Sequence, residues 1–391
     1  MKAGEIGGKT HFSSYAMLAA VGAKIQNIGF LEPIRKTVHI QQKHVKHHPF
    51  EKLKDALIAI LAGAHGLVEI NTRLRSDKGL QKAFGRAGCA EQSVVQATLN
   101  ACTGKNVEQM SIAVKEIFQT HSRAFKHDYN RSILVVDIDM TGLPCGSKAE
   151  DSPKGYQAMR GIRHGRQLSR ALAAQYEEVI TDLLYPGNFN MKHTLEETII
   201  SVEHILEISK EQRSRIVIRV DSGGGSQEKI NWMLSRGYQI LTKENFRKAE
   251  FYSHGVKNWI ADNKHPGREL GLLTVDIEDF PCSVRRIVIR WPEDKTGKMK
   301  HHCLITTLEP QDVVDLLNLP PNTINDEKKL VLAYAHLYDL RSGAIEIEIK
   351  ESKQGIGINK RSKKRFEAQK MVTLLNSLAH NSTFIFRLTN N

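Results

Sequence analysis

The chain has 391 residues, with 56 Lys and Arg against 43 Asp and Glu, a net charge of +13 and a pI near 9.4. That length leaves room for about two or three domains, and the positive excess favours polyanions, nucleic acid first and anionic membrane second. The five cysteines (Cys89, Cys102, Cys145, Cys282 and Cys303) include no C-x-x-C pair, which argues against a zinc module or a disulfide framework and suits a reducing cytoplasm.

The amino terminus carries Gly4, Gly7, Gly8 and Lys9 and no apolar core of a leader, so no secretory signal is expected. Residues up to about 50 are polar, with His39, His44, His47 and His48 near the end of the stretch. Lacking Cys or carboxylate partners nearby, these histidines read as part of a solvated basic segment that touches phosphates, not as a metal site. From Phe50 to Phe125 the period is helical. Leu53, Leu57, Ile60 and Leu61 fall on one helix face. A second helix is predicted over Ser76–Ala87, with Lys78, Lys82 and Arg86 along one side, and a third from Ala90 through Leu99. Two short helices around Gly88 have helix-turn-helix spacing. The most apolar candidate, Ala56–Val68, is broken by Gly63, His65 and Gly66 and is too short to span a bilayer. No membrane is expected as a partner.

The pattern then changes. Ile133–Val136 is an unbroken, largely β-branched run, as in a strand buried on both faces. Asp137, Asp139 and Thr141 follow at every second residue and so share a face. Adjacent buried acids call for positive compensation, and a divalent cation is the simplest form of it. Parity alone does not choose between Asp137 and Asp139. Gly142-Leu-Pro144 reads as the end of this strand, Gly155–Arg170 is rich in Gly, Arg and Gln, and Leu183–Asn188 reads as a turn. A helix over Thr194–Ile208, a buried strand Ile216–Val220 ended by Asp221-Ser-Gly-Gly-Gly225, a helix Lys229–Ser235 and a strand Tyr238–Thr242 give α/β alternation. The glycine run after Asp221 suits close approach of a phosphate. Leu272–Ile277, Val284–Arg290 and Cys303–Leu308 read as antiparallel strands, with Pro292–Gly297 as a hairpin connection, and helix resumes at Lys328–Tyr338. Trp259 and Trp291 lie in this β-rich block, either as core residues or as platforms for a flipped base.

The segment Tyr338-Asp-Leu-Arg341…Glu346…Lys350…Lys353 is the most specific motif. On a helix, Glu346, Lys350 and Lys353 would share one face, joining a metal ligand to phosphate-binding ammonium groups. The alternation of Ile345, Ile347 and Ile349 reads locally as a strand instead. The run Lys360-Arg361-Ser-Lys363-Lys364-Arg365 is strongly basic and reads as a track for a DNA backbone.

Together, Asp139-Met-Thr141 after an apolar strand, Asp221-Ser-Gly after Arg219, Tyr338…Lys353 and the tail Lys360–Arg365…Leu378-Ala-His-Asn381 resemble the DDE transposases of bacterial insertion sequences, in the subgroup with a Tyr–Arg–Glu–Lys signature. The likeness covers residues 130 to 385 or so. Tyr-x2-Arg and Glu-x6-Lys are kept, but four residues instead of three separate Arg341 from Glu346. The resemblance implies an α/β, RNase H-like mixed sheet flanked by helices, with a β-rich insertion; the helical period up to Phe125 adds an N-terminal helical DNA-binding region. The resemblance then reads 126–243 as the first part of the catalytic core, 244–330 as the insertion and 331–391 as the second part of the core with the basic tail, after the helical region at 1–125. It puts Glu346 on a helix and selects Asp139, Asp221 and Glu346 as catalytic metal ligands, leaving Asp137 a supporting role. Two Mg²⁺ ions, with Mn²⁺ as a substitute, would serve DNA cleavage and transfer of the 3′-OH. Tyr338, Arg341, Lys350, Lys353, Lys360, Arg361, Lys363, Lys364 and Arg365 would hold phosphates. The implied partners are double-stranded DNA, both terminal inverted repeats and target, and a second copy of the chain on DNA, in the bacterial cytoplasm at the nucleoid. The family continues beyond the point where this chain ends, with helical sequence used in dimerisation. A shortened end motivates an alternative, a catalytically inactive DNA-binding remnant; a nuclease without strand transfer is the other.

Overall fold

The computed structural model describes residues 12–42, 46–157, 161–274, 280–293 and 297–387. They divide into two units, one of Met1–His121, Leu143–Ser152 and Lys350–Asn391, the other of Ser122–Gly142 and Pro153–Ile349.

The first unit opens with α1 (Ala16–Asn27), α2 (Glu32–Thr37), α3 (Pro49–Leu61), α4 (Lys78–Ala83), α5 (Gln92–Ala101) and α6 (Gly104–His121). The early segment is not the solvated stretch expected from its polarity. Ile25, Phe30, Leu31, Ile34, Val38 and Ile40 are buried in the unit's core. The backbone at His39 is held by Gln109 and Asn106 of α6 (3.1 and 2.8 Å), and the His48 N–H donates to Glu51 at the start of α3. His44 lies outside the described residues. The basic side expected on the second helix is only partly formed: Lys78 and Lys82 are exposed, but the helix ends at Ala83 before Arg86. Arg86 is buried and makes a two-pronged contact with fully buried Asp55 on α3 (2.8 and 3.1 Å), with Glu51 at 2.6 Å. A buried carboxylate requires such a partner, and no periodicity argument reveals which arginine supplies it. Helix α4 begins where Asp77 accepts the Leu80 N–H at 2.7 Å, a side-chain N-cap.

The second unit is organised by one sheet. Among the described residues its strands are β1 (Leu134–Pro144), β2 (Lys154–Gln157), β3 (Gly161–Ala173), β4 (Glu178–Pro186), β5 (Ile216–Val220), β6 (Gln239–Lys243), β7 (Ile260–Ala261), β8 (Glu269–Leu272), β9 (Arg285–Pro292) and β10 (Met299–Thr306). Their order is β2-β3-β1-β5-β6-β10-β9-β8-β7, with β4 on β3. β1, β5 and β6 run parallel, whereas β10, β9, β8 and β7 continue the sheet from β6 in antiparallel pairs. This is the mixed α/β sheet expected, and the β-rich block is a lateral extension of it. Helices α7 (Met191–Leu206), α8 (Gln227–Ser235), α9 (Pro310–Leu316), α10 (Glu327–Gly343) and α11 (Ile345–Gln354) accompany it.

Two local expectations fail for identifiable reasons, and one polar stretch takes a form its composition did not suggest. β1 runs through Gly142 and Leu143 to Pro144 instead of stopping there. A Cβ at Gly142 would lie 2.8 Å from Gln157, so the glycine permits close packing and does not end the strand. Residues 154–157 and 161–173 are strands despite their polar composition, and the polar groups that β3 buries toward β4 and α7 find partners. Arg170 faces Asp182 in the β3–β4 register and holds both its oxygens (2.8 and 2.7 Å), and Ser169 bonds Thr198 at 2.8 Å. Likewise β4 continues to Pro186, and the turn expected over Leu183–Asn188 shrinks to its last residues. Residues 275–277 of the expected strand Leu272–Ile277 and residues 294–296 of the Pro292–Gly297 connection lie outside the described residues.

The tail was expected to continue the catalytic core. From Lys350 on it belongs instead to the first unit. Its helix α12 (Phe366–Arg387) buries Ala368, Met371, Val372, Leu375, Leu378 and Ala379 among the N-terminal helices. Each fully buried side chain of Leu or Met size contributes about 1.5–3 kcal/mol, which commits this helix to that core. Among the described residues, no helix is long and apolar enough to cross a membrane.

Candidate active site

Ligand sites in α/β sheets gather where parallel strands end. The register Ile138↔Val220 between β1 and β5, and Val220↔Thr242 between β5 and β6, makes Asp139, Asp221 and Lys243 the next residue of each strand. Two acids and a lysine therefore stand in a row where the parallel pairing of three neighbouring strands ends.

Two residues before that row, Asp137 faces Arg219 directly. Arg219 grips both Asp137 oxygens, at 2.5 and 2.8 Å, and also donates to the Leu337 carbonyl of α10. Asp137 is fully buried and its oxygens are engaged, which ties β1, β5 and α10 together. Asp139 is the acid that remains at the edge, with its Oδ1 accepting the Met140 N–H at 2.7 Å. Asp221 caps the following turn through the Gly223 N–H at 2.8 Å. The glycines behind it are required by packing: a Cβ at Gly225 would sit 1.7 Å from the Lys243 carbonyl oxygen.

Glu346 comes from the first turn of α11, which is helical despite its alternating isoleucines. Ile345 is buried against Leu172 and Val179 of the β3–β4 hairpin, and the Glu348 carbonyl accepts from Arg170 at 3.4 Å. These contacts hold the helix start and override the local strand pattern. The extra residue between Arg341 and Glu346 coincides with the break at Ala344 between α10 and α11.

Arg341 is buried at the centre of this group. Its Nη2 lies 3.0 Å from Asp139 Oδ2, and its Nη1 donates to Glu346 Oε1 at 3.0 Å. Burial works against the Arg341 charge, but Asp139, Tyr338 and Asp221 outweigh it and raise its pKa. Asp139 is pushed up to about 6, chiefly by burial; Asp221 and Glu346 add to the shift and Arg341 opposes it. The three acids therefore share one electrostatic field. Tyr338 is buried in the core under α10 and burial raises its hydroxyl pKa.

The donor set is all oxygen, which suits a hard divalent cation. Among the described residues, no three His, Cys, Asp or Glu side chains are gathered closely enough to hold a metal as they stand. The Arg341 guanidinium takes the place between Asp139 and Glu346. The carboxylates fit a cation in chemistry, with Arg341 as the group to be exchanged.

The other expected phosphate contacts divide by unit. Lys350 and Lys353 are on α11, four and seven residues beyond Glu346, where the chain passes into the first unit. The run from Lys360 to Arg365 is not one exposed track. Arg361 and Lys363 are buried, and burial lowers their pKa values to about 10 and about 8. Lys363 donates to Gln96 at 2.9 Å and Arg365 to the Asn100 carbonyl, so these groups fasten the chain before α12 to α5. Lys360 and Lys364 are exposed. In the β-rich part, Trp259 lies 3.7 Å beneath the Arg290 guanidinium and Trp291 stacks on His302 at 4.9 Å.

Lys243 escaped the sequence reading. The available signal was positional: it follows a strand parallel to the one that Asp221 follows.

The family described as transposase DDE domain group 1 matches residues 6–390. No curated protein matches. Among solved structures, the chain is similar to a piggyBac transposase in a synaptic complex with hairpin DNA. The identity is 11%, the match covers 96% of this chain and 75% of that one, and the TM-score is 0.46.

Proposed function

The chain belongs to the group 1 family of transposase DDE domains, and from that premise we propose that it performs cut-and-paste DNA transposition. It cleaves DNA at the ends of a mobile element and joins the freed 3′-OH to target DNA. The observation that carries this reading is the convergence of Asp139 and Asp221, where the pairing of β1 with β5 ends, and Glu346 from a helix start around one buried arginine.

In this reading the three carboxylates hold magnesium, with manganese as a substitute, as two ions. Held by these carboxylates, such cations would supply activation of the attacking oxygen and stabilisation of the leaving 3′-oxygen in an in-line phosphoryl transfer. The chain's own residues prepare the place. The Asp137–Arg219 pair keeps the ends of β1 and β5 level, so that Asp139 and Asp221 stay side by side. Arg341 compensates Asp139 and Glu346 until it turns its planar fork to a phosphate, a geometry that suits a guanidinium. No protein nucleophile is needed, because both steps are attacks by an oxygen on phosphorus. The partners are double-stranded DNA, as terminal inverted repeats and as target, and a second copy of the chain on DNA, within a bacterial cytoplasm.

The test is incubation with a duplex ending in the element's terminal inverted repeat, a supercoiled target plasmid and Mg²⁺ or Mn²⁺. Nicking at the repeat end with joined products supports the proposal. Nicking without joined products makes the protein a nuclease, and binding without metal-dependent nicking makes it an inactive remnant.

A further inference from the structure

Arg341 is spoken for: it sits between two of the acids. Lys243 is not. Among the described residues no carboxylate lies within ion-pair distance of its ammonium and no hydrogen bond engages it; its recorded contact is the Tyr338 ring, 5.1 Å below. It nevertheless stands at the end of β6 as the strand-end neighbour of Asp221, and it is only partly exposed. A lysine in such a place ordinarily swings its flexible stem to water or to an acid. Here Leu304 faces it across the β6–β10 pair, and the Tyr338 face supports it from below. Burial pushes the ammonium below the usual lysine range, with Arg341 adding to the effect; Asp339, Asp221 and Glu346 pull it back. The charge is thus kept close to the acids without being consumed by any of them.

We propose that Lys243 is a DNA phosphate ligand of this site, gripping the non-bridging oxygens of a phosphodiester next to the bond that is cut. The proposal rests on the reading of the site as a transposase centre. Three geometric facts converge on it. The lysine lies in line with Asp139 and Asp221, so an anion held by it is beside the acids. Its aromatic support fixes the ammonium by a cation–π contact without neutralising it. Arg341 is the cation within ion-pair distance of Asp139 and Glu346, so Lys243 is not tied into that contact. A positive group near a carboxylate centre, itself without an acid partner, is what a polyanion approaching that centre requires, since otherwise phosphate and carboxylates repel.

The experiment measures binding of the full-length chain to a fluorescent duplex ending in the terminal inverted repeat, in EDTA so that nothing is cut, across a salt series. Lys243→Met is expected to weaken binding about tenfold, the value of one charge-assisted contact, and to reduce the slope of log K against log salt by about 0.9, one released counterion. Lys243→Arg is expected to restore most of both. A second series keeps the protein intact and replaces single phosphates near the cleavage position by neutral methylphosphonates. One position should weaken wild-type binding and leave Lys243→Met unaffected. Wild-type binding with an unchanged salt slope in Lys243→Met, or no phosphate whose neutralisation is masked by that variant, overturns the assignment of Lys243 alone. Failure of the wild-type chain to bind the end duplex overturns the transposase reading together with this inference.

Discussion

Replacing Asp139 by Asn should make the metal-free protein more stable while abolishing its chemistry. A carboxyl held at about 6 instead of its ordinary 3.8 carries, at 1.36 kcal/mol per tenfold change, roughly 3 kcal/mol against its ionised form. The largest cause is burial, which the amide does not suffer in the same way. Arg341 keeps Glu346 as a partner in the variant, so a net gain of about 1–3 kcal/mol is expected at pH 7.5. The pH dependence has a definite sign. The folded-state value lies above the unfolded one, so the wild-type deficit is complete above about 6 and fades as pH falls toward 3.8. The advantage of Asp139→Asn should therefore shrink to about half at pH 5. Urea unfolding in EDTA, followed by tryptophan fluorescence, reads this directly, because Trp232, Trp259 and Trp291 all lie in the second unit. A variant no more stable than wild type at pH 7.5, or an advantage that grows on acidification, refutes the burial argument for this carboxylate.

Asp137→Asn should do the opposite, since it leaves Arg219 buried without its partner. A loss of about 3–5 kcal/mol in urea unfolding is expected, and a variant of wild-type stability would show that the pair contributes nothing. Arg341→Gln removes the group that competes for Asp139 and Glu346, so Mn²⁺ should bind the DNA-free protein several-fold more tightly by calorimetry; weaker binding would mean that the arginine helps to gather the acids. Gly225→Ala forces a Cβ to within 1.7 Å of the Lys243 carbonyl oxygen and should displace the ends of β5 and β6. Cleavage should then fall with little change in first-unit stability, and full activity would show that the turn tolerates a side chain.

Much of the site was legible because strands ending in acids leave a strong trace. The apolar run before Asp137 and the Arg219-Val-Asp221 strand end both survived into the structure, and the order of the α/β elements from β5 to β6 followed from their periodicity. Which of Asp137 and Asp139 serves the site was not legible from parity, because both share one face of β1; what separates them is Arg219, and only the β1–β5 register reveals that Asp137 and Arg219 are opposite each other. The strands over 154–157 and 161–173 were hidden by their polarity, since Arg170 and Ser169 look exposed until Asp182 and Thr198 are known to meet them. The basic tail misled for the same reason. Five positive residues in six look like a solvated face, yet Arg361 and Lys363 are turned inward once α12 packs on the N-terminal helices. At Ile345–Ile349 the alternating pattern gave way to long-range packing against Leu172 and Val179.

The most direct test of the account is single-turnover cleavage of the terminal-repeat duplex in Mg²⁺ by Asp139→Asn, Asp221→Asn and Glu346→Gln, with DNA binding measured in parallel. All three should bind the duplex as well as wild type and produce no detectable nick. Retained cleavage in any one of them would remove that residue from the centre, and retained cleavage in all three would place the chemistry elsewhere in the chain.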